Sequence, residues 1–133
     1  MDNITYYINK KVTAEEVAGV FRKSGLNRPT GDLNRIQRMI DHADFNITAW
    51  KDGQLIGIAR AITDYSFCCY VSDLAVDKDF QGRGIGKSLV RILKEQIGEE
   101  VSLILLASPV AMEYYPHIGF EKLENCFAIR KTR

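Results

Sequence analysis

The chain has 133 residues, with 18 basic and 17 acidic side chains, a net charge of +1, 46% hydrophobic residues and 26% charged residues. These values suit one soluble globular domain, spanning 1–133, that buries a core of its own. They exclude bulk electrostatic attraction to nucleic acid or to a membrane surface. Cys68, Cys69 and Cys126 form an odd set without framework spacing, which points to reduced thiols and a cytoplasmic setting. His42 and His117 are far apart and have no Cys at ligand spacing, so no metal site is expected. Met1 to Ile4 lacks the basic and apolar start of a signal peptide. The longest uncharged run, Val101 to Met112, is too short to span a bilayer and contains Pro109.

Taken in chain order, Ile4 to Ile8 is β-rich and predicts a first strand. Thr13-Ala14-Glu15-Glu16 has the form of a capping box, so a helix should run to about Ser24 with Val17, Val20 and Phe21 inward, and Gly25 should stop it. After the loop Asn27-Arg28-Pro29-Thr30-Gly31, Thr30 or Asp32 caps a second helix with Leu33, Ile36, Met39 and Ile40 at core spacing. Phe45 to Trp50 and Gln54 to Ile62 predict two strands joined at Asp52-Gly53, a strong hairpin signal. Phe67 to Val76 continues the meander. Ile85, Leu89, Ile92, Leu93 and Ile97 mark one helix face, and Gly98 ends that helix. Val101 to Ala107 is apolar throughout, as in a strand buried on both faces. Val110 to Ile118 predicts a short helix closed by Gly119, and Glu121 to Asn125 with Cys126 to Lys131 predicts a terminal hairpin. This order implies an α/β (α+β) fold: a single mixed, mostly antiparallel sheet flanked by helices on both faces. The unit 67–107 should be a parallel crossover, with a ligand at the carboxyl end of its first strand.

That position is held by Gln81-Gly82-Arg83-Gly84-Ile85-Gly86, between the strand and the amphipathic helix. Glycines admit a close ligand, and a helix start offers unpaired N–H groups and a positive dipole end, which together suit phosphate oxygens. A dinucleotide fingerprint fails here, because its last glycine would fall on Lys87 or Leu89. A Walker A loop matches Gly86-Lys87-Ser88 but has Gln81 where its first glycine belongs. A bare turn needs fewer glycines than these three.

The pattern Gln-x-x-Gly-x-Gly, carried by Gln81, Gly84 and Gly86, resembles the acetyl-coenzyme A loop of the GCN5-related N-acetyltransferases (GNAT). Asp73-Leu74-Ala75-Val76-Asp77 is similar to the exit of that family's fourth strand. Tyr115-Pro116-His117-Ile118-Gly119-Phe120 is similar to its later Tyr-x-x-x-Gly-Phe motif. The element order resembles the family's along nearly the whole chain.

This resemblance implies transfer of the acetyl group of acetyl-CoA to a primary amine of a small molecule or peptide, by direct attack in a ternary complex and without a metal. It implies that the cofactor lies against Leu74, Ala75 and Val76 through their main chain. The pyrophosphate would lie on Gln81, Gly82, Arg83, Gly84, Ile85, Gly86 and Lys87. Ser108 stands where many members have Asn, seven residues before the tyrosine, and a hydroxyl can still bond the pantetheine. Tyr115 is implied as the acid for the departing thiolate, and Tyr114 as packing under the sheet. An oxyanion donor is implied at the main-chain N–H of Leu74 or Ala75, freed by a bulge. Asp73 is the nearest carboxylate and the candidate base, with Asp64 and Tyr70 as others. The acceptor pocket is expected from Phe21, Arg28, Trp50, Tyr65 and Phe67, with Arg28 suited to an acidic acceptor group. A homodimer is compatible with the family. The alternative is a non-catalytic coenzyme A-binding regulatory or protein-interaction module; Tyr115 beside an intact loop favours the enzyme.

Overall fold

A computed structural model describes residues 3–133. Its sheet has five strands in the order β1 (Thr5–Ile8), β2 (Phe45–Lys51), β3 (Gln54–Thr63), β4 (Cys68–Val76) and β5 (Ser102–Leu105). The first four pair antiparallel, and β4 pairs parallel with β5. Two helices, α1 (Ala14–Ser24) and α2 (Leu33–Asp41), cover one face, and α3 (Ile85–Ile97) covers the other. A one-turn helix, α4 (Tyr114–His117), follows β5. Among the described residues no helix is long and apolar enough to cross a membrane.

The local chemistry explains most of these elements. Thr13 and Glu16 form the reciprocal capping box, with Thr13 Oγ1 accepting from Glu16 N at 3.0 Å and Glu16 Oε1 accepting from Thr13 N at 3.0 Å. Gly25 stops α1 at φ 82°, in the left-handed region. Asp52 and Gly53 turn the β2–β3 hairpin with φ 50° and 77°, as a type I′ turn requires. Val17, Val20, Phe21, Ile36 and Ile40 bury against Leu55, Ile58 and Ala75 on one side of the sheet. Ile85, Leu89, Leu93 and Ile97 bury against Ile47, Ile56, Ala59, Cys69 and Val71 on the other.

Three expectations are corrected. The apolar run 101–107, expected to be buried on both faces, gives the short edge strand β5, with Ile104 and Leu106 exposed. The helix expected over 110–118 breaks into a turn at Pro109–Ala111 and the single turn of α4. Pro109 begins the first piece and Pro116 lacks an amide for the second, so no continuous ladder can form. The terminal hairpin is absent, since residues 120–133 contain no strand. Leu123, Phe127 and Ile129 are exposed there, the last two almost completely. The Asn125-Cys126 junction lacks the Asn-Gly or Asp-Gly pair that turns the β2–β3 hairpin at Asp52-Gly53.

Because the capping box supplies two of the first-turn bonds of α1, Thr13→Ala should cost about 1 kcal/mol of stability in chemical denaturation. Glu16→Ala should reproduce part of that loss.

Candidate active site

The site follows from two irregularities in β4. Arg60 of β3 lies opposite Asp73, but the next residue, Ala61, lies opposite Val71, so Ser72 is an extra residue and forms a bulge. Side chains before and after it face accordingly. Cys69, Val71 and Leu74 pack on the α3 side. Ser72 and Asp73 both face the α1–α2 side, where Arg60 reaches them. The second irregularity is a splay. Pairing between β4 and β5 ends at Val71 with Leu105. Beyond it, residues 72–76 keep β3 on one side and have no strand on the other.

The gap is a cavity of about 570 Å³. Ser72, Leu74 and Val76 of β4 line one wall, and Leu105, Ser108, Tyr114 and Tyr115 another. Gln81, Gly82, Gly84, Ile85, Gly86 and Lys87 line its end, and Arg28 and Lys78 add positive charge. Ala75, Arg83 and Asp73 do not line it. Ala75 is buried in the other core, and the Arg83 guanidinium lies over the Phe80 ring at 5.3 Å.

The glycine turn has the geometry a phosphate group needs. Gly82 and Gly84 take φ of 79° and 80°, and a Cβ at either would enter open space. Gly84 caps α3 without a side-chain bond, leaving the amides of Ile85, Gly86 and Lys87 without intrahelical acceptors at the positive end of the dipole. Gln81 Nε2 donates to Val76 O at 2.8 Å and ties the turn to the end of β4. Gly86 answers a different need, since a Cβ there would meet Tyr114 Oη at 2.5 Å. Its missing side chain makes room for a tyrosine. These residues fit a pyrophosphate carried on an extended arm: open glycines, free amides and two lysines at one end, and an unpaired strand edge beside them.

Tyr115 is half-buried, stacks edge-to-face on Tyr114 at 5.3 Å and on Phe120 at 5.5 Å, and opens onto the cavity. Burial pushes its phenol above the ordinary value, the Tyr114 phenol pushes it the same way, and the Arg28 guanidinium pulls it down. Tyr114, expected as buried packing, is 40% exposed and also lines the cavity.

The base candidates are also corrected. Asp73 is buried, and its two carboxylate oxygens accept from Arg28 Nε and Arg60 Nε. Both of its oxygens are thus engaged, and it does not line the cavity. Asp64 accepts from the amides of Ser66, Phe67 and Cys68, which hold it down to about 2, and it caps the β3–β4 turn away from the cavity. Tyr70 does not line the cavity.

Of the expected acceptor residues, Phe21 and Trp50 are core. Tyr65 and Phe67 are exposed outside the cavity. Arg28 lines it and is also paired with the buried Asp73. Sequence reasoning missed the buried Arg60 and the pairing of Arg28 with Asp73. The available signal was a basic and an acidic residue mid-strand in two adjacent apolar strands.

The comparisons with known proteins agree with this geometry. The family model for the acetyltransferase (GNAT) domain matches residues 10–130. The chain belongs to the GNAT acetyltransferase family. A Porphyra purpurea N-acetyltransferase, ycf52, is 38% identical over 96 residues, covering 68% of this chain and 55% of that protein. The chloroplastic GCN5-related N-acetyltransferase 2 of Arabidopsis thaliana is 36% identical over 76 residues, covering 53% of this chain and 28% of that protein. The matched part thus spans between about a quarter and just over half of these curated relatives. In fold, a GNAT protein from Streptococcus pneumoniae superposes with a TM-score of 0.76 at 22% identity, over 98% of both chains. An aminoglycoside N-acetyltransferase solved with CoA superposes with a TM-score of 0.76 at 19% identity, over 100% of this chain and 97% of that one.

Two outcomes follow from the GNAT turn and the Asp73 cluster. Gly84→Glu should fold with about 1 kcal/mol of strain from its positive φ and lose thermal stabilisation by acetyl-CoA. Undiminished stabilisation would remove the loop from the site. Arg60→Ala, which takes one cation from a buried carboxylate, should cost about 3–5 kcal/mol in urea denaturation.

Proposed function

We propose that this chain is an acetyl-CoA-dependent N-acetyltransferase that moves the acetyl group to a primary amine by direct attack in a ternary complex. The observation that carries the reading is the shared cavity: Tyr115, the α3 amide cradle and the unpaired edge of β4 all open onto one space. The likeness to a histone acetyltransferase of Glycine max and to the fold of an aminoglycoside N-acetyltransferase supports an amine as acceptor.

In this reading the thioester supplies an activated acetyl carbonyl. The main chain of Leu74 to Val76 pairs with the pantetheine arm as an added strand would. Gly82 to Lys87 hold the pyrophosphate, with Lys78 and Lys87 adding charge. The Ser72 bulge frees a main-chain N–H near Leu74 or Ala75 as the oxyanion donor. Ser108 bonds the arm through its hydroxyl. Tyr115 holds a transferable proton at Oη for the departing sulfur. Among the described residues, no carboxylate or imidazole lines the cavity, so the amine enters neutral or loses its proton to water. Asp73 serves the site by holding arginines.

Because burial raises the Tyr115 phenol above its ordinary value near 10, the acid form persists through that pH. Turnover should therefore rise with pH as the amine deprotonates, without a tyrosine-linked fall below about pH 10. The deciding experiment is acetyl-CoA turnover against a panel of amines, read by free thiol release. Tyr115→Phe should lower kcat about 100-fold and leave donor affinity nearly unchanged. Acetyl-CoA binding with no amine turned over would select the non-catalytic module instead. Equal kcat in both proteins would reject the acid.

A further inference from the structure

The loop between α1 and α2 packs Leu26 on the core and is hydrogen-bonded to the sheet at the bulge. Arg28 Nη2 donates to Ser72 O at 2.7 Å, its Nε donates to the buried Asp73 carboxylate, and its Nη1 donates back to Asn27 O at 2.7 Å. From the other side, Arg60 Nη2 donates to Ser72 Oγ at 2.8 Å and Arg60 Nη1 to Met39 O of α2 at 3.3 Å. One carboxylate therefore holds a loop arginine and a strand arginine together. The Arg28 side chain is 26% exposed and lines the cavity, while that of Asp73 is fully buried.

We propose that Arg28 is a positioning residue: it fastens the α1–α2 loop to the β4 bulge and keeps a fixed positive charge in the cavity shared with the Tyr115 hydroxyl. This rests on the role proposed for Tyr115 above. A phenol that gives up its proton leaves a phenolate, and a neighbouring guanidinium stabilises that anion without competing for the proton, since it stays charged throughout. Lysine would keep the charge but lose the planar fork that spans Asp73 and the Ser72 carbonyl. The charged and titratable groups around Tyr115 are Tyr114 on α4, Arg28 on the loop with Asp73 and Arg60 behind it, and Lys78 and Lys87 lining the same cavity. Of these, Tyr114 pushes the phenol up and Arg28 pulls it down.

The test is titration of the Tyr115 phenol by phenolate absorbance, taken as the difference from Tyr115→Phe in each background and needing no acceptor. Arg28→Gln removes the charge while Arg60 still holds Asp73, and its urea unfolding transition checks that the variant is folded under the titration conditions. Its Tyr115 should titrate at higher pH than in the wild type. Arg28→Lys should titrate close to the wild type, yet amide exchange over residues 24–32 should quicken in both variants. With an amine substrate, Arg28→Gln should lower kcat about tenfold with little change in the donor KM. Titration of Arg28→Gln at the wild-type pH would overturn the proposal, even if turnover fell. If no amine is acetylated but the titration moves, the enzyme reading falls and the placement of the charge stands.

Discussion

One extra residue in β4 governs the rest of this structure. Were Ser72 paired as a regular strand residue instead of bulged, strict alternation would send Asp73 into the apolar layer under α3 and turn Leu74 toward α1 and α2. With the bulge, Asp73 lies under α1 and α2, where Arg60 and Arg28 accompany it, and Leu74 returns to the α3 layer. A buried carboxylate is costly alone and tolerable between two guanidinium groups, so the bulge and the arginines require each other. The bulge directly follows the last residue of β4 that pairs with β5, and the cavity lies beside the strand from there on.

The same device links the two layers functionally. On the α3 side, the freed strand edge leads to Gly82 and Gly84 and then to the unsatisfied amides of the helix start, a continuous polar track for an extended anionic ligand. On the α1–α2 side, the Arg28 contact draws the loop to the rim of the cavity. Tyr115 arrives from a third element, the single turn of α4, steadied by Tyr114 and Phe120. The GNAT chemistry proposed here asks little of side chains. Main-chain groups hold and polarise, one phenol donates, and the ionised residues act at a remove.

Much of this was legible in the residues. Thr13 with Glu16, Asp52-Gly53 and the spacing of Ile85, Leu89, Leu93 and Ile97 each encode a local geometry, and each takes its expected form because a local rule suffices. The turn from Gln81 to Gly86 was readable for the same reason. Long-range features were not readable. A bulge is a relation between two strands, so Ser72 looks ordinary until Arg60 and Ala61 of β3 are placed opposite it. The partners of Asp73 lie 45 and 13 positions away. Gly86 reads as a ligand glycine in the motif, yet the atom that forbids its side chain belongs to Tyr114. The segment from Glu121 to Lys131 has strand-forming side chains without a turn to join its halves, and composition alone overstated it.

The central claim is that the edge of β4 beyond Val71 and the first amides of α3 receive one ligand together. Amide hydrogen exchange with and without acetyl-CoA tests it directly. The account predicts slowed exchange at Leu74 to Val76 and at Gly82 to Lys87 in the same titration, with β1 and β2 unchanged. Binding that leaves either segment unprotected, or that protects only the outer strands, would contradict it.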